Sequence, residues 1–227
     1  MLLLLSIIIL FFAIIPYVKS HFEKPIGDSM TKFILIAFFA SITHSAFSNE
    51  PVIGGPCQGC EFVFQDIPSQ IPPNARIAAL DEEGEPMIVS GTVFNKDGTI
   101  AEGVVIYAYQ TNNKGNYPKG DTFHGRLRAW AKTNSDGRYV FETIRPVAYP
   151  NREEPEHIHL HVIEKNRGTY YIDSIEFTDD ILLTNDLKKA RKSRGGNGVV
   201  TPVKNKLGQW LVTRDVDLGA GIPNYIE

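Results

Sequence analysis

Three histidines alternate with apolar residues in the segment E-H-I-H-L-H-V at residues 156–162. Successive side chains of a β-strand point to opposite faces, so a strand here places His157, His159 and His161 on one face. Two histidines at i and i+2 lie about 6.5 to 7 Å apart at Cα, and their imidazoles can converge on one metal ion. The pattern fits the polar outer face of an edge strand equally well. We expect His161 to contact the other histidines or the solvent rather than a metal.

Two neutral imidazoles leave a metal site incomplete, so anionic ligands must come from elsewhere in the chain. Carboxylates and tyrosines are the candidates. A carboxylate such as Glu156 beside His157 and His159 would make a zinc hydrolase site. The histidine segment by itself leaves both kinds of ligand open.

A family resemblance favours tyrosines. The segments L-R-A-W-A-K-T-N-S-D-G-R-Y-V-F-E-T-I-R-P-V-A-Y-P (127–150) and P-E-H-I-H-L (155–160) resemble the intradiol ring-cleavage dioxygenases, the family of protocatechuate and catechol dioxygenases. The segment V-S-G-T-V-F-N-K-D-G-T-I-A-E-G-V-V-I-Y-A-Y-Q-T-N-N-K-G-N-Y (89–117) looks like the strand pair and tyrosine-bearing loop that open that fold. With G-Q-W-L-V-T-R-D-V-D-L (208–218), the resemblance runs from about Val89 to Leu218.

In that family two tyrosines and two histidines hold one ferric ion, and the matching positions are Tyr117, Tyr149, His157 and His159. Phenolate is a hard, strongly donating ligand that suits Fe(III), and a trivalent cation favours loss of the phenol proton. The resemblance implies that Tyr117 and His159 are equatorial. Tyr149, opposite His157, would leave the iron when a catechol binds and accept a substrate proton. The implied reaction inserts both atoms of O2 between the hydroxyl-bearing carbons of a catechol-like substrate, giving a muconate-type diacid.

Two positions depart from the family pattern. An arginine that stabilises negative charge usually stands three residues before the first histidine, and this chain has Glu154 there. Losing such a donor commonly costs about 3 to 4 kcal/mol, so Arg128 or Arg152 would have to replace it. Ser174 stands where a glutamine often faces the metal pocket. These changes favour a small, neutral or sugar-linked catechol or a slow enzyme, and they leave open a sandwich that binds metal or aromatics without ring cleavage.

Short alternating or β-branched runs separated by Gly, Asn and Asp turns predict an all-β chain, a single β-sandwich with long loops and little helix. We expect strands over residues 87–94, 103–110, 126–133, 138–143, 157–164 and 208–217. The turns N-K-D-G (95–98) and N-S-D-G (134–137) predict that the first four strands form two hairpins. Residues 186–194 predict a short, basic, exposed helix.

The start of the chain reads as a leader. Its two apolar runs, residues 2–15 and 33–42, are shorter than the roughly 20 residues that cross a bilayer as a helix. A basic start at 30–32 and a small-x-small site at 46–48 flank the second run, as in a signal peptide. We therefore predict a leader at 1–48, made of an upstream extension (1–29) and a signal peptide (30–48), before an exported domain at 49–227. A tandem membrane anchor is the alternative, and only the leader is expected to meet a membrane.

Net charge and cysteine content limit the partners and metal sites that we expect for this chain. The 227 residues carry a net charge of −3, whereas a phosphate-backbone binder needs positive charge, so we expect no nucleic acid partner. Cys57 and Cys60 form a C-x-x-C pair, which in an exported chain predicts a local disulfide. Zinc would need further ligands, and a thioredoxin-like motif would need a βαβ unit. The resembled family includes homo-oligomers, hetero-oligomers and single chains, and the sequence leaves that choice open.

Overall fold

Two β-sheets make up nearly all of the regular structure in the computed structural model, which describes residues 52–57 and 59–226. This confirms the predicted all-β sandwich. The predicted leader lies outside the described residues. Among the residues described, no helix is long and apolar enough to cross a membrane.

The first sheet has the strand order β1-β5-β2-β10-β9, and β11 also pairs with β2. Its strands are β1 (Asn74–Arg76), β2 (Pro86–Phe94), β5 (Arg138–Ile144), β9 (Val203–Lys204), β10 (Trp210–Thr213) and β11 (Val216–Asp217). The second sheet has the order β4-β3-β6-β7-β8. Its strands are β3 (Val105–Gln110), β4 (Arg128–Lys132), β6 (His157–Glu164), β7 (Gly168–Phe177) and β8 (Val199–Val200).

Both predicted hairpins are wrong. β2 pairs with β5 in the first sheet, whereas β3 pairs with β4 and β6 in the second. The two Asn-Asp-Gly turns therefore carry the chain from one sheet to the other. An alternating pattern specifies which face of a strand is buried, but a turn sequence does not specify the strand that lies beside it. Crossing between sheets lets Val89 of β2 and Ile106 of β3 reach one shared core.

The remaining elements differ from expectation in extent. Strands β1, β7, β8 and β9 lie outside the predicted ranges, and the predicted strand over 208–217 is divided into β10 and β11. Arg214 lies at this division, almost fully buried, and its guanidinium donates to the carbonyl of Gly195 at 3.0 Å. The predicted helix is confirmed but shorter: α1 spans Asn185–Ala190, begins at the N-cap Thr184 and buries none of its residues.

The core between the sheets and a smaller cluster outside the second sheet define two distinct environments. Tyr139 and Phe141 of β5 face the core, as do Ile158, Leu160 and Val162 of β6. The smaller cluster is made of Val63, Val105, Tyr107 and Trp130. Val63 belongs to a 3-10 helix at Cys60–Phe64. This helix and the disulfide turn at its start form the N-terminal segment of the sandwich domain, which covers the outer face of the second sheet. Cys57 and Cys60 form the predicted disulfide at its start.

Candidate metal centre

Strand β6 spans the predicted residues and carries the histidines on its outer face. The apolar side chains between them are buried in the core between the sheets. On the outer face, Nε2 of His157 lies 3.0 Å from Nε2 of His159. His161 is only 2% exposed, so of the two roles expected for it, contact with the solvent is wrong. Its Nδ1 lies 3.5 Å from Sγ of Cys60. The N-terminal segment buries this end of the strand.

An irregularity in the β6–β7 pairing sits opposite His159. Ile158 pairs with Ile175 and Leu160 with Ile172, so two residues of β7 face the single residue His159. Such bulges turn a side chain out of the regular pattern and are common beside functional sites. Ser174 lies in this bulge, and its Oγ is 3.4 Å from Nδ1 of His159.

Two loops supply the tyrosines, and they are joined along their backbones. The hydroxyl of Thr111 donates to the carbonyl of Val147 at 2.7 Å. A side chain at Gly115 would lie 2.1 Å from the carbonyl oxygen of Ala148, and the φ of +72° there also favours glycine. This close approach brings the hydroxyls of Tyr117 and Tyr149 into hydrogen-bond contact.

The four sequence-predicted ligands therefore converge. The Tyr149 hydroxyl also lies 3.2 Å from Nε2 of His159, which links both tyrosines to both histidines. Nδ1 of His157 lies 2.6 Å from the carbonyl of Pro155. A carbonyl only accepts, so Nδ1 carries the proton and Nε2 presents its lone pair to the cluster.

This donor set fits a hard, highly charged metal ion. Burial lowers the pKa of His159 well below its ordinary value, which keeps the imidazole neutral as a ligand must be. Burial raises the pKa of both Tyr117 and Tyr149, and the negative charge of Glu154 raises each further. Without a cation the two phenols stay protonated. A trivalent ion supplies the charge that two buried phenolates need.

The two candidate arginines have different surroundings. Arg128 donates to the carbonyl of Gln65 at 2.8 Å and to Asp66 at 2.9 Å, and it does not line the cavity over the ligands. Arg152 does line that cavity, with its guanidinium 5.3 Å from the ring centre of Tyr149. Nη1 of Arg152 lies 3.9 Å from the carboxylate of Glu154. The negative charge that replaces the family's arginine is therefore next to the one candidate arginine that lines the cavity.

Glu156 is engaged elsewhere. Its carboxylate accepts from Nε of Arg145 at 2.8 Å, and Arg145 also pairs with Asp179. Glu156 is not among the residues that line the cavity. Glu156, the example of a carboxylate in the zinc hydrolase alternative, is thus paired with Arg145 and does not face the cavity.

The cavity brings in residues that sequence reasoning missed. It has a volume of about 810 Å³ and extends from Tyr149 and His159 to Phe123 and His124. Tyr109 stacks on His159 with ring centres 4.5 Å apart, and on His124 at 3.8 Å. Strand alternation could have placed Tyr109 on the same face of β3 as Tyr107, but His124 lies in a loop and has no sequence signal. Nδ1 of His124 is 2.9 Å from the hydroxyl of Tyr107.

Comparison with known proteins agrees with this geometry. Residues 62–207, more than half of the chain, match the family described as Dioxygenase. The chain belongs to the intradiol ring-cleavage dioxygenase family. It is 38% identical over 73 residues to catechol 1,2-dioxygenase 1 of Acinetobacter lwoffii, covering 30% of this chain and 24% of that protein. It is 31% identical over 117 residues to the protocatechuate 3,4-dioxygenase beta chain of Burkholderia cepacia, covering 45% and 49%. The matches thus span between about a quarter and half of these relatives.

Solved structures share the fold. The 3-chlorocatechol 1,2-dioxygenase of Rhodococcus opacus 1CP superposes with a TM-score of 0.56 at 17% identity, covering 80% of this chain and 76% of that one. The dioxygenase domain of a dioxygenase carbohydrate-binding protein fusion from Streptomyces sp. SirexAA-E gives 0.51 at 22% identity, covering 67% and 91%. At these identities the likeness establishes the fold alone.

The burial of His124 predicts a pH dependence of stability. Burial lowers the pKa of His124 to about 4, whereas an unfolded histidine titrates near 6.5. Between these values the unfolded state binds more protons, so stability falls as the pH falls. In the metal-free protein, His124→Phe should reduce the slope of unfolding free energy against pH by about 1 kcal/mol per pH unit between pH 6 and 5. Urea unfolding measures both slopes, and equal slopes would contradict the prediction.

Proposed function

We propose that this protein is a mononuclear ferric intradiol dioxygenase that cleaves a catechol-like aromatic between its two hydroxyl-bearing carbons. The observation that carries the proposal is the convergence of two phenol and two imidazole donors at Tyr117, Tyr149, His157 and His159. Family membership supports the same chemistry. When bound, Fe(III) would supply the Lewis acidity that binds the catechol oxygens and makes the ring reactive toward O2.

The chain's own residues would bind, orient and deprotonate the substrate. The Tyr149 oxygen contacts both Tyr117 and His159, and as a phenolate, its state with the cation bound, it would be placed to take a substrate proton. The carbonyl of Pro155 fixes the tautomer of His157. Arg152, over the ring of Tyr149, is the arginine that lines the cavity where negative charge develops.

A second candidate function is a binding protein of the same fold without ring cleavage. Glu154, 3.9 Å from Arg152, favours this alternative, because its negative charge offsets the positive charge that would stabilise the developing anion. Such a protein would change its spectrum on binding a catechol but would consume no O2. The two functions therefore differ in one measurement on the same sample.

Visible spectroscopy and oxygen uptake test the iron site. We expect iron-supplemented protein to absorb in the visible through tyrosinate-to-iron charge transfer, and to consume O2 with catechol while forming a ring-opened diacid. Tyr149→Phe should weaken the absorption and lower kcat about 100-fold or more, because the proton acceptor is lost. Tyr225→Phe, whose hydroxyl contacts Glu164, is the matched control and should change neither. A colourless wild-type protein without iron would overturn the proposal.

The charge of Glu154 predicts substrate preference. Because Glu154 disfavours negative charge at the tyrosines, a carboxylated catechol such as protocatechuate should be a poorer substrate than catechol. Glu154→Gln should raise the ratio of kcat/KM for protocatechuate to that for catechol about threefold, a modest change because the residue is more than half exposed. Glu153→Gln makes the same change of charge at the preceding residue and is the matched control, for which we expect a smaller change in the ratio. An unchanged ratio in Glu154→Gln would contradict the prediction.

We also propose that the protein is exported. The Cys57–Cys60 disulfide suits an oxidising compartment, and the leader has the order of a signal peptide. Amino-terminal sequencing of protein from outside the cytoplasm should find a start near Asn49. An intact Met1 would contradict export with cleavage.

A further inference from the structure

The disulfide turn forms part of the cavity wall. Cys57 and Cys60 close a turn with a sequence separation of 3, and Pro56 and Gly59 line the cavity. Gly59 has a φ of +84°, and a side chain there would lie 2.7 Å from Nε2 of His124. The turn therefore packs directly against the His124 imidazole.

His124 is held from a second direction as well. It is 2% exposed, and its Nδ1 lies 2.9 Å from the hydroxyl of Tyr107, on strand β3. Phe62, in the 3-10 helix that follows the disulfide, meets the His124 ring edge-on at 5.5 Å. The N-terminal segment thus fixes both the position and the tilt of this imidazole.

Tyr109 connects His124 to the metal centre. Its ring stacks on His124 with centres 3.8 Å apart and planes 6° apart, and on His159 at 4.5 Å and 16°. Tyr109 and His159 are direct neighbours in the β3–β6 register. Among the residues described, Nδ1 of His159 has one side-chain hydrogen-bond partner, Oγ of Ser174 at 3.4 Å. Stacking by Tyr109 is therefore a further restraint on this imidazole, besides the contacts at its Nε2.

The disulfide also contacts strand β6 directly, without His124 and Tyr109 in between. Sγ of Cys60 lies 3.5 Å from Nδ1 of His161, which shares the outer face of β6 with His159. The disulfide therefore touches the ligand-bearing strand directly and, through His124 and Tyr109, the ligand itself.

We propose that the Cys57–Cys60 disulfide and the Tyr109–His124 stack form one positioning device for His159, so that opening the disulfide weakens retention of iron. The inference rests on the proposed iron site. A dithiol reductant would open the disulfide by thiol exchange: the two sulfurs take up two electrons and two protons, and the reductant becomes a disulfide. Because the disulfide closes so short a loop, it constrains the unfolded chain little, and we expect its main effect at the site.

The test is the rate at which iron passes from the loaded protein to a chelator such as EDTA. Cys57→Ser/Cys60→Ser should lose iron about tenfold faster than wild type, the usual effect of removing a group that orients a metal ligand. A dithiol should speed loss from wild type by a similar factor. The same reductant should leave the double variant unchanged, which controls for direct reduction of the iron.

The stack is tested separately. Tyr109→Leu should speed iron loss about tenfold, whereas Tyr109→Phe keeps the ring and should retain the wild-type rate. If the two parts act as one device, adding Cys57→Ser/Cys60→Ser to Tyr109→Leu should speed iron loss little further. Circular dichroism of each variant verifies folding, and the reductant and Tyr109 arms decide the question if the double cysteine variant does not fold.

Failure of this inference is distinct from failure of the proposed function. A wild-type protein that binds no iron refutes the iron site itself. A wild-type protein that holds iron, with iron loss unchanged within twofold on reduction and in Tyr109→Leu, refutes the positioning device alone. Acceleration by the dithiol in both wild type and the double cysteine variant would likewise refute the role of the disulfide.

Discussion

The candidate site depends on strand β6, which packs one face into the core between the sheets and presents its histidines on the other. Its apolar side chains fill the core between the sheets, so the strand cannot turn or slip without exposing them. A slip of one residue would move the histidines into that core. The energy of the hydrophobic core thus fixes the direction of the imidazoles, and the bulge opposite His159 is accommodated in β7 instead of β6.

The outer face of the second sheet is a protected environment. An antiparallel sheet often leaves one face to solvent, but here the N-terminal segment covers Tyr107 and Trp130. The covered polar groups find partners: Tyr107 with His124, and the indole of Trp130 with the carbonyl of Val63 at 2.8 Å. Burial then keeps His159 neutral and its neighbouring tyrosines protonated, which leaves the site suited to a strongly charged cation.

Charges around the site are largely committed to local partners. Arg145 holds Glu156 and Asp179, and Arg128 holds Asp66, so neither arginine is directed at the cavity. Arg152 alone of the two candidate arginines lines it, and Glu154 lies beside it. The family fold is thus retained, while the charge of Glu154 beside Arg152 departs from the family pattern.

The sequence alone determined what depends on local periodicity and on motif spacing. Alternation predicted the bounds and both faces of β6 and the all-β class. The linked motifs led to the family and to the candidate ligands. Tertiary structure decided what depends on distant contacts: the partners of β2 and β3, the commitment of Arg128, and the stack of Tyr109 between His124 and His159. A period of two residues reports which side of a strand is buried, whereas the neighbour on that side comes from a residue far along the chain, chosen by packing of the whole sandwich.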